Sequence, residues 1–562
     1  MKRAKTYWAE LLLLAVSVLL NLKFIFSNFG IDAAYQISMS YRVTQGDRLF
    51  AQMLEPHQTS AFLCAILIGL YRKIFSTTTG MVLFLQFSGV VIDFAVAYFL
   101  YRFIRKEFGN RWAAAVSACL LVLTAPKDVP LPEYTNMQVW FSVCMAISLA
   151  KYMYEKKWKW ICLASFFLCL TVLAYPSCLI LYFVVALFLL RKREFKAYGV
   201  LTAICVIAGS LYLAVVILPQ GFSSFSENIA LMLALETSHG AGLFEKVLGY
   251  IRDAGIPICI FFACVGIALA VGVLICKTSR FSGVRFKTIF LYVFYSVSFI
   301  WCLFTIIGIS VFTRYDYSLF FAQLLFIGIL LRKESENKVS VFFDLCVGIS
   351  VAEFLASALF TNLNLMSLFP MLILGVLASV VTAANAVTAK SERYGSRMQV
   401  IAGVALLVLM AFRGGYLIRP LWGHVGSVFD IAGLTKKGPA VGIVSEYMGP
   451  YMQNETFDEW QLFIPDGSSV FIIGESLNTL GYLYKDVNIA APSTISTPGY
   501  NEALLRYWEK NPDKYPDVIV ASCWYGNFDS VLTPDSYIMN WIETEYHYSY
   551  SIDGKYWKYY FR

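Results

Sequence analysis

Two acids on separate polar stretches are the residues of this chain best placed to do chemistry. Asp32 lies in GIDAAYQ and Glu133 in LPEYTN, and each follows or precedes a long apolar run. A carboxylate at the mouth of an apolar cavity suits general base work, because desolvation raises its pKa toward the working range. The same stretch as Asp32, Gly30 to Gln58, also carries Tyr35, Glu55 and His57. Glu55 and His57 stand two residues apart, so an extended backbone would turn both to one side as substrate or metal contacts. Asp32, Glu55 and His57 are the residues that could hold a divalent cation, Mg or Mn, although their spacing is no metal signature in itself. Arg314 and Tyr315, in TRYDYS, are candidate substrate contacts. A guanidinium grips a phosphate by paired hydrogen bonds, and Lys127 offers a second cation. Arg42, Asp47 and Arg48 read as ordinary solvated loop charges.

The elements that must position these groups are membrane helices. Of 562 residues 58% are hydrophobic and 15% are charged, against about 25% charged in soluble domains. The net charge of +8 therefore points to basic membrane loops rather than to nucleic acid. Of thirteen Cys only Cys523 lies outside the hydrophobic part, and no CxxC pair occurs. The basic, apolar start lacks a small-x-small cleavage site, so it reads as an uncleaved first helix. Runs near the roughly 20 residues a span needs predict about thirteen transmembrane helices. They fall near 7–27, 80–101, 112–125, 137–154, 159–174, 178–190, 197–218, 256–276, 288–311, 316–331, 339–360, 365–387 and 398–413.

The run from Ser60 to Phe75 is excluded from this set. With it excluded, loops 102–111, 155–158, 191–196, 277–287, 332–338 and 388–397 lie on one side and, with Lys159 at the edge, hold 21 Lys and Arg. After that run the loops opposite hold only Lys127, Lys246, Arg252 and Arg314. The positive-inside rule then makes Ser60–Phe75 an interfacial or re-entrant helix in the first outer loop. It also puts the N-terminus in the cytoplasm and the C-terminal part outside the plasma membrane. Asp93 and Glu353 fall within spans, where an acid marks function or a pairing between helices. For Asp93 the helix pairing is the favoured reading.

Residues 416–562 change in composition. VFIIG (470–474), VNIAAPS and DVIVASC read as strands. ESLNTLGYLYK, YNEALLRYWEK and YIMNWIETEY read as helices, and the end alternates around an Asp-Gly turn as a hairpin. This predicts a small extracytoplasmic α/β domain that caps the bundle or meets a partner, attached to a membrane domain of residues 1–415.

Over those 415 residues the order of elements resembles the GT-C superfamily of membrane glycosyltransferases. The nearest branch is that of the protein O-mannosyltransferases and the lipid A aminoarabinose transferase. Asp32 in GIDAAYQ matches the early loop acid of that family. EPHQTSAFLCAILIGLYRKIF matches its polar turn and interfacial helix, Glu133 its second acid, and Arg314-Tyr315 its late outer pair. The sequence departs from the pattern in Ala33 after Asp32, in a single Pro56 before His57, and in Glu rather than Asp at 133. The resemblance implies a GT-C-like fold and transfer of a hexose or pentose from a polyprenyl-phosphate donor to a glycan, lipid or protein acceptor. Asp32 and Glu133 would be catalytic, while Tyr35, Glu55, His57, Lys127, Arg314 and Tyr315 would bind substrate. The competing readings are a transporter or flippase of lipid-linked sugars, a polysaccharide polymerase or ligase, and a non-catalytic scaffold. Transporters favour midplane sites and internal repeats, and neither is evident here.

Overall fold

The computed structural model describes residues 2–27, 30–123, 131–235, 243–277, 286–306, 317–361, 368–388, 433–445, 449–474, 476–495, 501–524, 527–528 and 536–562. Among the described residues fifteen α-helices precede residue 389: α1 Lys2–Ser27, α2 Ile31–Gln45, α3 Ala61–Phe75, α4 Met81–Phe108, α5 Arg111–Leu123, α6 Tyr134–Glu155, α7 Trp158–Ala174, α8 Ile180–Arg191, α9 Phe195–Ile217, α10 Phe222–Leu235, α11 Leu243–Lys277, α12 Phe286–Ile306, α13 Tyr317–Leu331, α14 Asn337–Phe360 and α15 Ile373–Thr388.

Among the described residues five helices are long and apolar enough to cross a membrane: Met81–Phe108, Phe195–Ile217, Phe244–Lys277, Asn337–Phe360 and Pro370–Thr388. The chain is therefore a multi-pass membrane protein. Arg111–Leu123, Trp158–Ala174 and Pro176–Arg191 are apolar helices of shorter described length. The span expected at 398–413 lies outside the described residues. The apolar faces of α4 and α9 carry exposed Phe87, Val91, Phe99, Val206, Ile207 and Leu211, as surfaces bathed in lipid do. The segment 243–255, expected as a loop piece, is instead the first part of one 35-residue helix, α11.

Helix α6 is the axis of the bundle. Sixteen of its 22 residues are buried, so it is core on all sides. Two acids inside the bundle close on it. Asp93 of α4 accepts a hydrogen bond from Trp140 Nε1 at 2.9 Å, the helix pairing expected for it, and Glu353 of α14 accepts one from Ser142 Oγ.

The basic connections meet at one end of this axis. Glu107 lies 3.7 Å from Lys151 and 3.6 Å from Lys338. Glu194 pairs with Lys156 and accepts from Tyr152 at 2.9 Å, and Arg111 pairs with Glu10 of α1 at 2.7 Å. The loops 102–111, 155–158, 191–196 and 332–338 thus share a face of the bundle, as their charge predicts.

The other end carries α2, α3 and the C-terminal domain. The stretch 30–58, expected as a loop, is largely helix. Gly30 is the N-cap of α2, and Gly46 closes it at φ 97°, the left-handed C-cap that favours glycine. Helix α3 has 15 residues, about 22 Å at about 1.5 Å per residue. The chain just before it touches α2 through Ser60 and Gln36. The chain just after it donates from Thr78 Oγ1 to Leu483 O at 2.6 Å. Both ends of α3 therefore stay at this end of the bundle. One face of α3 (Cys64, Ile68, Tyr71) is buried, and Ile66, Leu70 and Ile74 are exposed, a pattern suited to lying along a membrane surface.

The C-terminal domain is a small mixed sheet with helices. Strands β3 Ser469–Ile473, β4 Asn488–Ile489, β5 Val518–Trp524, β7 Tyr550–Asp553 and β8 Trp557–Phe561 run in the order β4-β3-β5-β8-β7. The pairs β3–β4 and β3–β5 are parallel, whereas β5–β8 and β7–β8 are antiparallel. The Asp-Gly hairpin forms where predicted, with Gly554 N–H donating to Trp557 O at 2.7 Å. Short β6 (Asn527–Phe528) pairs with β5, and β1 (Gly433–Leu434) pairs with β2 (Val444–Ser445). ESLNTLGYLYK forms a 3-10 helix, Ser476–Leu483, and the expected strand VNIAAPS keeps only two paired residues. Among the described residues three α-helices complete the domain: α16 Gly449–Phe463, α17 Glu502–Lys510 and α18 Tyr537–Thr544. The first of these and the β1–β2 ribbon escaped the sequence reading.

This domain shares a core with the start of the chain. Ala33, Ala34, Ile37, Tyr41, Ile68, Val82 and Leu85 belong to one buried cluster with Trp460, Phe471, Leu483, Trp508 and Tyr559. Residues 438–442 lie on the start of α4, with Gly80 N donating to Gly438 O and Val82 N to Pro439 O. The contact is so close that a Cβ at Gly442 would stand 2.5 Å from the Leu83 side chain.

Candidate active site

Asp32 occupies the first turn of α2. Its Oδ1 accepts a hydrogen bond from Tyr134 OH at 2.8 Å, 102 residues away in sequence. Tyr134 is the first residue of α6 and Glu133 is the N-cap. Glu133 is 1% exposed and accepts from Thr135 Oγ1. The LPE turn is set by Asn136 Nδ2 donating to Leu131 O at 2.8 Å. The two acids on separate stretches thus meet at the head of α6.

His57 covers this meeting point. Its ring stacks on Tyr134 at 4.2 Å and on Tyr175 at 5.3 Å, with interplanar angles of 10° and 20°. Tyr35, one helical turn after Asp32, meets the imidazole edge-on at 6.5 Å. Tyr175 stands where α7 ends and Pro176 starts the next turn. Ser60 fixes the His57 arm against α2. Its Oγ is 2.8 Å from His57 O and 3.0 Å from Gln36 Oε1. Near-parallel aromatic rings beside carboxylates can hold the apolar face of a sugar while the acids bind its hydroxyls.

Of the residues singled out in the sequence, Asp32, Tyr35, His57 and Glu133 come together. Lys127, Arg314 and Tyr315 lie outside the described residues. Glu55 points elsewhere and is fully buried. Its Oε1 accepts from Thr494 N at 2.8 Å and its Oε2 from Ser493 Oγ at 2.7 Å, and Arg42 Nη1 approaches Oε1 at 3.3 Å. Burial pushes the Glu55 carboxyl above its ordinary value, against the opposing pull of Arg42, Ser493 and Thr494. Both of its oxygens are engaged away from Asp32 and His57. Among the described residues no three His, Cys, Asp or Glu side chains converge to hold a metal ion. The set Asp32, Glu55 and His57 does not fit a divalent cation.

The expectation of solvated charge at Arg42 and Asp47 is corrected as well. Arg42 is wholly buried, with Nε 2.8 Å from Asp47 Oδ2, and Asp47 Oδ1 lies 2.5 Å from Lys514 Nζ of the C-terminal domain. Burial would lower the Arg42 guanidinium, but Asp47, Tyr507 and Glu55 outweigh it and hold it above its usual value, so it stays charged. Arg48 is exposed, as expected. The sequence reading passed over Tyr134 and Tyr175. Tyr134 could have been found from its place beside Glu133, and Tyr175 from the Tyr-Pro break in an apolar run.

No protein-family profile matches the chain, and no curated protein matches it. Among solved structures, the crystal structure of ArnT from Cupriavidus metallidurans in the apo state aligns over 99% of this chain and 98% of that chain, with 12% identity and a TM-score of 0.42. A likeness of that degree is too slight to bear on function, which is read from the residues themselves.

Proposed function

We propose that this chain is a membrane glycosyltransferase of the GT-C type, moving a sugar from a polyprenyl-phosphate donor to a hydroxyl acceptor on the outer face of the plasma membrane. The observation that carries the reading is the convergence of Asp32, Glu133 and the His57–Tyr134–Tyr175 stack at the head of α6. The acceptor oxygen attacks the anomeric carbon while Asp32 takes its proton. The bond from the anomeric carbon to the phosphate oxygen breaks, and polyprenyl phosphate leaves as a stable anion. Tyr134 fixes the Asp32 carboxylate, which keeps the proton acceptor in one orientation. Glu133 holds sugar or acceptor hydroxyls, and the aromatic stack bears the sugar face. Lys127 and Arg314 are assigned to the phosphate, whose departing charge they would stabilise. A single displacement of this kind inverts the anomeric centre.

The test is incubation of the purified protein with a panel of polyprenyl-phosphate sugars and candidate acceptors. Release of polyprenyl phosphate with an inverted product is the expected result. Movement of intact donor between leaflets of a vesicle, without any release, would favour the flippase reading instead.

A further inference from the structure

We propose that Arg42 is a positioning residue through which the C-terminal domain sets the geometry of the site. The proposal rests on the transferase reading above for its catalytic arm. Helix α2 lies between two cores. Tyr35 and Met39 face the membrane bundle, whereas Ala33, Ala34, Ile37 and Tyr41 face the C-terminal domain. Asp32 is at one end of this helix and Arg42 is near the other. The guanidinium has four partners: Asp47 Oδ2 at 2.8 Å, Glu55 Oε1 at 3.3 Å, Pro492 O at 3.2 Å and Gln52 O at 2.6 Å.

Those partners belong to both chain arms that reach the site. Backward along α2 the chain leads to Asp32 and Tyr35. Forward through Gln52 and Glu55 it leads to His57. The C-terminal domain grips the same junction from outside. Lys514 binds Asp47, Ser493 and Thr494 bind Glu55, and Tyr507 OH donates to Gln52 O at 2.8 Å. Two further bonds fasten α2 itself, from Ser38 Oγ to Thr479 O and from Gln45 Nε2 to Val487 O, each at 2.8 Å. Arg42, Lys514, Asp47 and Glu55 bring two cations and two acids, so the buried cluster balances in charge. An apolar replacement at Arg42 leaves two acids facing one lysine. Both arms lose their common anchor, although no side chain at the site is itself substituted.

The test uses Arg42→Met and Lys514→Met in the full-length protein in nanodiscs, with exposed Lys437→Ala as control. Activity is expressed per folded molecule, and backbone hydrogen exchange is read over residues 33–41, 57–60 and 139–150. We expect kcat to fall at least about tenfold in Arg42→Met with KM for the lipid-linked sugar within about twofold. A smaller fall is expected in Lys514→Met and none in Lys437→Ala. Exchange should quicken at 33–41 and 57–60 while 139–150 stays protected. A merely stabilising role would lower the folded fraction and leave kcat per folded molecule unchanged, which overturns the proposal. Wild-type exchange rates over 33–41 in Arg42→Met also overturn it. If Arg42→Met does not fold, Lys514→Met decides by the same readouts. If the wild-type protein transfers no sugar, the transferase reading fails, and the exchange experiment alone decides whether Arg42 couples the domain to the site.

Discussion

The two ends of α6 hold two charge networks of opposite character. At the basic end Glu107 sits between Lys151 and Lys338, and Lys338 is 54% exposed. At the other end Arg42, Asp47, Glu55 and Lys514 are all at most 7% exposed. In sequence Glu107, Lys338, Arg42 and Asp47 all read as loop charges. The difference lies in what covers them. At the basic end Lys338 reaches solvent, so its pair with Glu107 is screened and contributes little. The C-terminal domain closes over the other network, where removing one partner leaves a desolvated charge. Loop charges at one end of the bundle therefore pair among themselves, while those at the other join the C-terminal domain to α2.

Substitutions that strip one partner should break this contrast most visibly at the buried end. Glu55→Ala leaves Ser493 Oγ, Thr494 N–H and part of Arg42 without their acceptor. It should destabilise the docked C-terminal domain by about 3–5 kcal/mol, seen as early protease cleavage and a lowered melting temperature. Tyr134→Phe keeps the ring stack and removes the donor to Asp32. Loss of a hydrogen bond to a charged group costs about 1.5–3 kcal/mol of stability, and with the carboxylate no longer held, transfer per folded molecule should slow by about 10- to 100-fold. Lys338→Ala at the basic end should cost less than about 1 kcal/mol, and its effect on melting should vanish in high salt.

Much of the peripheral architecture was legible in the sequence. The buried strand SVFII, the Asp-Gly hairpin and the apolar spans announce themselves by local pattern, and the basic loops by their sign. Helix α2 was harder to see. IDAAYQISMSYRVTQ has apolar residues on two faces, because it packs against two cores at once, and this blurs the single stripe that marks an amphipathic helix. Its stop at Gly46 was the readable signal. Asp32 and Glu133 were paired in sequence only through the resemblance in element order, and Tyr134, which joins them, was not. The burial of Arg42 was not legible either, because Pro492 O lies 450 residues away from it and the C-terminal domain covers it only once folded. Glu55 was misjudged for the same reason: a carboxylate near His57 in sequence turned out to face Ser493 and Thr494.

The proposed mechanism turns on Asp32, held by Tyr134, removing the acceptor proton. The decisive comparison is release of polyprenyl phosphate by the wild-type protein and by Asp32→Asn, which keeps size and a hydrogen-bond acceptor for Tyr134. Loss of a general base predicts a fall of about 10²- to 10⁴-fold, with donor binding and melting temperature retained. Transfer at the wild-type rate by Asp32→Asn would rule out Asp32 as the base.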